Sequence, residues 1–274
     1  MAGSPSTCWC ARRWCERRGV SGGTALLLFL PPLRYSCLQP SASGSSARIG
    51  AADAEIHPGK QTTVVKTIGN TALYFLALAV AAYAILAYAL LPLGIGVHPA
   101  MRLTFHAHQV GIYTHVFASS LALLTGPFQF SSRLRQRSAQ VHRWMGRIYL
   151  GIGVALGGLS GLYMATLAFG GLTAKLGFAC LALAWLYTGL RAFGAVRAGD
   201  VAAHRRWMVR NFALTFAAVT LRIYLPISVA SGIPFETCYP VIAWLCWIPN
   251  LLVAEALFNR ASGPSPMREV RAQE

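Results

Sequence analysis

The chain is short of acidic residues. Lysine and arginine together number 24 among its 274 residues, but aspartate and glutamate number only 8, and none stands between Ile56 and Gly199. Such an acid-free run suits a segment that repeatedly crosses hydrocarbon, where an unpaired carboxylate is costly. The sequence also lacks a nucleophile-base triad, a phosphate-cradling glycine loop and paired catalytic carboxylates at a recognisable spacing, so hydrolytic chemistry has no support in it.

Charged residues of either sign are scarce, at 12% of the chain against 55% hydrophobic residues. This balance is far from that of a soluble domain. The net charge of +16 would fit nucleic acid, but the cations lie in clusters between apolar runs and form no continuous face. We therefore expect a membrane protein whose partners include membrane lipids and no nucleic acid.

Residues 1–60 contain no apolar run long enough to span a bilayer, because TALLLFLPPL falls well short of the roughly 20 residues required. Their Ser, Gly, Pro and Arg content predicts a disordered or targeting segment whose address stays open. CWCARRWC lacks a second ligand pair at zinc spacing, and the 7 cysteines indicate no redox compartment. Residues 261–274 are expected to form a disordered tail.

Residues 61–260 contain six apolar stretches of bilayer length, which predict an all-α integral membrane bundle of six helices. They lie at approximately Ile68–Leu91, His108–Phe130, Trp144–Phe169, Lys175–Val196, Met208–Ala230 and Glu236–Phe258. Glycines four apart in GIGVALGGLSG predict close approach of a neighbouring helix to the third stretch. Gly126-Pro127 predicts a kink or an end of the second helix.

Arginines cluster in alternate connections between these stretches. They occupy the second-to-third connection, the fourth-to-fifth connection and the C-terminal tail, as Arg133, Arg135, Arg137, Arg143, Arg147, Arg191, Arg197, Arg205, Arg206, Arg210, Arg260, Arg268 and Arg271. By the positive-inside rule, both termini and both basic connections are expected to face the cytoplasm or the equivalent side of an organelle membrane. Which membrane that is stays open.

The basic connections lead into similar motifs, HRWMGR from His142 and HRRWMVR from His204. Each motif opens a helix that enters from the same face. We therefore expect an internal repeat of two helices about an axis normal to the membrane, with a chance match as the alternative.

His142 and His204 come from different helices at similar depth and form the most obvious bis-histidine pair. The first functional hypothesis is a haem-binding membrane redox protein, in which these two residues are the metal ligands of a haem b and Arg147, Arg210 and Glu255 adjust the local charge. Such a protein would have an electron-transfer partner. Because the arginines lie deeper than the histidines, interfacial histidines with basic anchors are the alternative.

His108 and His115 share one face of the second helix, roughly 10 Å apart, so they cannot be the two axial ligands of one haem. With His106 they offer a transition-metal site as a further option. Arg222 lies about 21 Å beyond Met208, inside the fifth stretch. An arginine there normally faces the bundle or a wet cavity, which predicts an anion site near His108 and His115 and, as the alternative function, a small-solute or anion transporter. Snorkelling to the nearer headgroups is the other interpretation of Arg222.

Glu255 lies late in the sixth stretch, a little over a turn beyond Asn250. It is expected to form a structural ion pair, with Arg147, Arg210 or a histidine as its partner. A third functional hypothesis is a non-enzymatic membrane scaffold, whose arginines hold acidic headgroups at about 1 kcal/mol each.

Four segments together resemble the domain-of-unknown-function 2306 family of predicted multi-pass membrane proteins. They are HAHQVGIYTHVFASSLALLTGPFQFSSRLR, VHRWMGRIYLGIG, AHRRWMVRNFALTFAAVTLRIYLP and WIPNLLVAE, within Phe105 to Glu255. The positions that match the family's polar pattern are His108, His115, Gly126, Pro127, Gln129, His142, Arg143, Gly146, Arg147, Tyr149, His204, Trp207, Met208, Arg210, Arg222, Asn250 and Glu255. The resemblance implies a helical membrane domain and brings no established activity. Two-haem membrane cytochromes have a similar helical plan, but the fourth stretch here has no histidine to complete a second haem.

Overall fold

The computed structural model describes the backbone of residues 58–261 and the side chains of residues 69–258. The targeting segment, the CWCARRWC motif and the C-terminal tail expected from the sequence lie outside the described residues. The described part is helical and contains no strand. Its α-helices are α1 Pro58–Leu90, α2 Arg102–Ala107, α3 Gln109–Gln129, α4 Ser132–Arg137, α5 Ala139–Arg147, α6 Gly157–Thr166, α7 Gly171–Arg197, α8 Val201–Thr215, α9 Ala217–Ala230, α10 Phe235–Leu245 and α11 Ile248–Ala261, with a 3-10 turn at Pro99–Met101 and a π-helix at Ile148–Leu156.

Five helical segments are long and apolar enough to cross a membrane, and each coincides with a predicted stretch. They are Gly69–Leu90, Ala139–Thr166, Gly171–Arg197, Val201–Ala230 and Phe235–Phe258. The remaining stretch forms α3, whose 21 residues extend about 31 Å. α3 packs between α1 and the third span and buries two polar residues, Ser120 and Gln129. The all-helical membrane fold is thus confirmed, and the crossing by α3 stays a prediction.

Long helices that follow one another in the chain run antiparallel. On α3 and the third span, Gly111 lies against Tyr163 and Ala122 lies against Gly153. This arrangement brings the connections at residues 130–147 and 191–206 to one end of the bundle, which we call the basic end. The connections at residues 91–108, 167–170 and 231–234 lie at the other end, which we call the opposite end. Which compartment each end faces stays a prediction.

Glycines of the third span allow the close helix packing that the sequence predicts. A Cβ added at Gly153 would lie 2.7 Å from the Cβ of Ala122, and one at Gly158 would lie 2.6 Å from Leu186. Neither distance is compatible with a side chain at these positions. The small-residue prediction is confirmed, because the backbone of the third span contacts α3 on one side and α7 on the other.

The two basic motifs occupy equivalent positions in their helices. The Ser138 side chain accepts a hydrogen bond from the Val141 N–H at the start of α5, at 3.4 Å, and the Asp200 side chain accepts one from the Ala203 N–H at the start of α8, at 2.8 Å. His142 and His204 are each the fourth residue after these caps. The similarity therefore extends to how each helix begins, while the larger two-helix repeat stays a prediction.

Candidate functional site

A cavity of about 410 Å³ lies in the half of the bundle toward the opposite end. Small-molecule sites commonly have volumes of roughly 300–1,000 Å³. The walls come from α1, α2, α3, α6, α7, α8, α9 and α10, and most of the lining is apolar. The polar or partly polar lining residues are Tyr88, Thr104, His115, Ser119, Ser120, Trp185, Thr215, Arg222 and Tyr239.

Arg222 is the one residue with a permanent charge in the described cavity lining. A guanidinium NH group donates to the carbonyl oxygen of Ala218 at 3.0 Å. Because α9 runs from the basic end to the opposite end, that carbonyl lies one turn nearer the middle of the fifth span. Snorkelling to the nearer headgroups stays an alternative interpretation of Arg222.

No carboxylate neutralises Arg222 among residues 69–258, where the salt bridge found joins Arg210 to Glu255. A guanidinium carries five N–H donors, and the bond to Ala218 is its one hydrogen bond to the described residues. The remaining donors are thus available to whatever occupies the cavity.

His115 lines the same cavity. Its Nδ1 lies 2.9 Å from the carbonyl oxygen of Gly157, and because a carbonyl only accepts, Nδ1 is the donor. In the neutral ring, Nε2 is then the acceptor nitrogen. Gly161 leaves room for this ring, since a Cβ there would lie 3.0 Å from its Cε1 atom.

Toward the basic end, the cavity stops at a buried hydrogen-bond network. Trp185 Nε1 donates to Thr215 Oγ1 at 2.9 Å. The hydroxyl of Tyr149 lies 2.8 Å from both Asn211 Oδ1 and Thr215 Oγ1. Asn211 Nδ2 donates to the carbonyl of Trp185 and to Thr188 Oγ1, each at 2.8 Å. The network thereby ties together the third, fourth and fifth spans.

The network is sealed from solvent, because Tyr149 and Asn211 are both 0% exposed. Their polar atoms are paired within the protein, as buried polar groups require. Sequence reasoning included Tyr149 among the positions of the family's polar pattern and missed Asn211 and Thr215. The available signal was the spacing of four residues between Asn211 and Thr215, which places two polar side chains one above the other on a helix.

An aromatic cluster borders the cavity toward the opposite end. The ring of His98 stacks on Phe235 with centroids 4.1 Å apart, and Phe235 also contacts Phe169 and Tyr239. Phe169 and Tyr239 belong to the cavity lining. The cavity therefore lies between this aromatic cluster and the buried network.

His106 and His108, which lie near this end, do not join His115 in a metal site. The Nδ1 atom of His108 bonds the hydroxyl of Tyr163 at 2.7 Å, while His106 is exposed. Within the described residues, no group of three or more histidine, cysteine or acidic side chains is placed to hold a metal ion. The transition-metal option at His106, His108 and His115 is therefore wrong in this structure.

His142 and His204 lie at the basic end, apart from the cavity, and neither lines it. His204 Nδ1 donates to the carbonyl oxygen of Ala192 at 2.8 Å. His142 Nδ1 is buried without a partner among the described residues. The two rings are within electrostatic reach of each other, but their use as metal ligands stays a prediction.

Arginines and tryptophans stack in the same way in both basic motifs. The guanidinium of Arg147 lies 5.0 Å from the ring centroid of Trp144, and that of Arg210 lies 4.9 Å from the ring of Trp207. Arg191 also lies over Trp207, at 5.0 Å. These stacked pairs fit an interfacial position, where a cation and an aromatic ring both contact headgroups.

Glu255 pairs with Arg210, one of the three partners that the sequence left open. The Nε and NH atoms of the guanidinium donate to the two carboxylate oxygens at 2.5 and 2.7 Å. A turn away, Asn250 bonds Thr220 Oγ1 and the carbonyl of Ala213. Both contacts join the sixth span to the fifth. Glu255 and Asn250 therefore stabilise the packing of these two spans, and neither residue lines the cavity.

The family model described as Predicted membrane protein (DUF2306) matches residues 112–258. The chain belongs to this family. No curated protein and no solved structure matches the chain. The DUF2306 region includes His115, Arg222 and the whole buried network, whereas α1 and α2, which supply Tyr88 and Thr104 to the cavity wall, lie outside it.

Proposed function

We propose that this DUF2306 protein is a non-enzymatic membrane carrier that binds an anion in the cavity at Arg222. The observation that carries the proposal is a guanidinium within the fifth span that lines a cavity and has no carboxylate partner among the described residues. A cation removed from water is costly unless an opposite charge or several acceptors compensate it. A bound anion would supply that compensation.

A tightened turn in the fifth span lies in the cavity wall and favours a carrier. α8 ends at Thr215 and α9 begins at Ala217, and both residues line the cavity. The helix continues through Phe216, whose N–H donates to the Phe212 carbonyl, and the Val219 N–H donates to the carbonyl of Phe216 three residues earlier, at 2.9 Å. Departures from regular helix are typical of transporter sites near the membrane midplane.

A second departure from regular helix lies on the other side of the buried network. The third span is a π-helix from Ile148 to Leu156, and Tyr149 at its start bonds Asn211 and Thr215. Helical π segments occur frequently at functional sites. In a carrier, opening toward the basic end would require these hydrogen bonds to separate, and the two irregular segments are where the backbone has most freedom to rearrange.

The test is anion uptake into liposomes that contain the full chain. Chloride, nitrate, phosphate, acetate, benzoate and palmitate form the panel. At least one anion should enter in a protein-dependent way, with uptake reduced at least about tenfold by Arg222→Gln and less by Arg222→Lys, because a lost charged hydrogen bond changes affinity by this order. The matched control is Arg191→Gln at the basic end, which should leave uptake unchanged.

The proposal fails if Arg222→Gln transports the panel as the unaltered chain does. It also fails if no panel anion interacts with the purified protein in either uptake or binding. Thermal unfolding of each variant in detergent separates a lost site from a lost fold.

Haem binding at His142 and His204 is a second candidate. The bond from His204 Nδ1 to the Ala192 carbonyl supports it, because histidines that bind metal through one nitrogen commonly donate the other to a carbonyl. The test is the absorption spectrum of protein purified after haem-replete expression. A reducible Soret band that disappears in His142→Ala would favour this candidate. If the unaltered protein shows no such band, haem binding is rejected.

A further inference from the structure

The cavity lining separates into one charged region and extended apolar walls. Arg222 supplies the charge from α9, and Tyr88 contributes a phenol from α1 to the same lining. The remaining wall is largely formed by apolar side chains, among them Ile112, Leu123, Met164, Phe178, Leu181 and Leu221. A ligand that fills this space must therefore be polar at one point and apolar over most of its surface.

Further hydroxyl groups line the cavity beside Arg222. Ser120 and Tyr239 belong to the lining and are 4% and 8% exposed. Neither hydroxyl bonds a described residue, and neither oxygen is fully buried. Each hydroxyl is therefore accessible from the cavity, where a polar group of an occupant or a water can bond it.

We infer that the ligand is an amphiphile with a single negative charge, such as a long-chain carboxylate. Its head would contact Arg222 and its aliphatic tail would lie along the apolar walls. This inference rests on the proposed function and names the class of substrate for the same site. A carboxylate suits a guanidinium in particular, because the two planar groups can form paired hydrogen bonds.

The charge count in the cavity distinguishes this class from a phosphate. Arg222 is the only lysine, arginine, aspartate or glutamate in the described lining. A phosphate monoester carries between one and two negative charges at neutral pH, so one guanidinium would leave part of its charge uncompensated in an apolar surrounding. A carboxylate is neutralised by one guanidinium.

The apolar walls distinguish the class from a small hydrophilic anion. Chloride or acetate would lose its hydration on entering and would gain contact with Arg222 and few other donors, while most of the cavity surface would stay without a partner. An aliphatic tail would contact these apolar walls along its length, and this contact offsets the desolvation of the head. Affinity is therefore expected to rise with chain length until the tail reaches Trp185 and Thr215 at the end of the cavity.

The test is competition photolabelling of the full chain in nanodiscs of phosphatidylcholine. The probe is a palmitate analogue with a diazirine in its tail, and the competitors are palmitate, hexadecanol, hexadecylamine and acetate. We expect cross-links to peptides that line the cavity, displaced by palmitate and not by the amine, the alcohol or acetate. Arg222→Gln should weaken palmitate competition at least about tenfold, Arg222→Lys less, and Arg191→Gln should behave as the unaltered chain does.

The outcomes separate this inference from the proposed function. If chloride, acetate or phosphate binds in an Arg222-dependent way and palmitate does not, the cavity is an anion site and the amphiphile assignment is wrong. If hexadecanol competes as well as palmitate and Arg222→Gln changes nothing, the head-group assignment and the proposed anion site both fail. If labelling falls outside the cavity peptides, the amphiphile inference is overturned while the uptake test still decides the proposed function.

Discussion

The buried network and the cavity use polar residues in opposite ways. In the network, Tyr149 and Asn211 are fully buried and their polar atoms are paired within the protein. In the cavity wall, Ser120 and Arg222 leave polar atoms unpaired among the described residues. Pairing, and not polarity, therefore distinguishes the network from the candidate site. The contrast is local, because Gln129 Nε2 and His142 Nδ1 at the basic end are buried without a partner among the described residues.

The distance between helices differs in the same way. In the half toward the basic end, which we call the packed half, Gly153 brings the third span against Ala122, within a distance that no side chain could occupy. In the half that contains the cavity, which we call the hollow half, Ala217 and Ala218 on α9 border the cavity. Small residues thus allow two helices to touch where a neighbouring backbone lies opposite them. Where no backbone lies opposite, they leave a cavity.

The largest effect should come from a substitution in the packed half. Gly153→Leu places a side chain where even a Cβ would lie 2.7 Å from Ala122 Cβ and 3.0 Å from its Cα, so we expect loss of the folded protein. The measurement is the recovery of a monodisperse peak in detergent. Gly151→Leu is the matched control two residues away, where a Cβ would have nothing within 4 Å, and it should be recovered normally. Equal recovery of both variants would contradict the packing described.

A smaller effect is expected from breaking the network. Asn211→Leu removes one hydrogen bond each from Tyr149 and Thr188, which keep their bonds to Thr215 and to the Ala184 carbonyl. It should lower the free energy of unfolding by about 1–3 kcal/mol in total. Ser120→Ala in the hollow half removes a hydroxyl with no protein partner and should change it by less than about 0.5 kcal/mol. Reversible unfolding in mixed micelles measures both. Equal losses of the free energy of unfolding in the two variants would show that the network and the cavity wall do not differ in polar pairing.

Filling the cavity should abolish palmitate binding with little change in the free energy of unfolding. Ala218→Leu adds apolar volume to the cavity wall and leaves the backbone carbonyl that accepts from Arg222 in place. We expect the free energy of unfolding to change by less than about 1 kcal/mol and palmitate competition to be lost. Ala122→Leu, in the packed half, should instead cost about 1–3 kcal/mol through overpacking. The account of the cavity is contradicted if Ala218→Leu binds palmitate normally.

A small effect is expected at the ion pair of the basic end. Arg210 and Glu255 have side chains exposed by 22% and 38%, so the pair lies outside the packed interior and Glu255→Gln should cost no more than about 1 kcal/mol. Palmitate competition should be unchanged, because neither residue lines the cavity. Unfolding measurements at low and high salt, with Glu236→Gln as the control, check this expectation. A loss of palmitate binding in Glu255→Gln would contradict this expectation, because it would show that the ion pair at the basic end is coupled to the cavity.

Much of the fold follows from the sequence because its signals are local. Apolar runs of bilayer length predict the spans, and the glycines of the third stretch predict close packing. The polar character of α3 was visible, but its central position was not, since that depends on which helices surround it. The π-helix at Ile148–Leu156 has no local signal that distinguishes it from the α-helix around it.

The candidate site was only partly predictable for the same reason. Arg222 is an anomaly within one helix, so the sequence identifies it, and its proximity to His115 was expected. The network of Tyr149, Asn211 and Thr215 depends on how three helices are rotated against one another, which spacing along one helix does not give. The cavity itself is a space that side chains fail to fill, so it has no sequence signal at all.

The most direct test of the account is the accessibility of single cysteines in a variant that lacks the native ones. Ser119→Cys, in the cavity wall, should react with a small anionic methanethiosulfonate reagent faster than with a cationic one, and Arg222→Gln should abolish that preference. Val154→Cys, buried in the packed half, should react with neither. Equal reactivity at Ser119→Cys and Val154→Cys, or an anion preference that survives Arg222→Gln, would contradict an anion-selective cavity at Arg222.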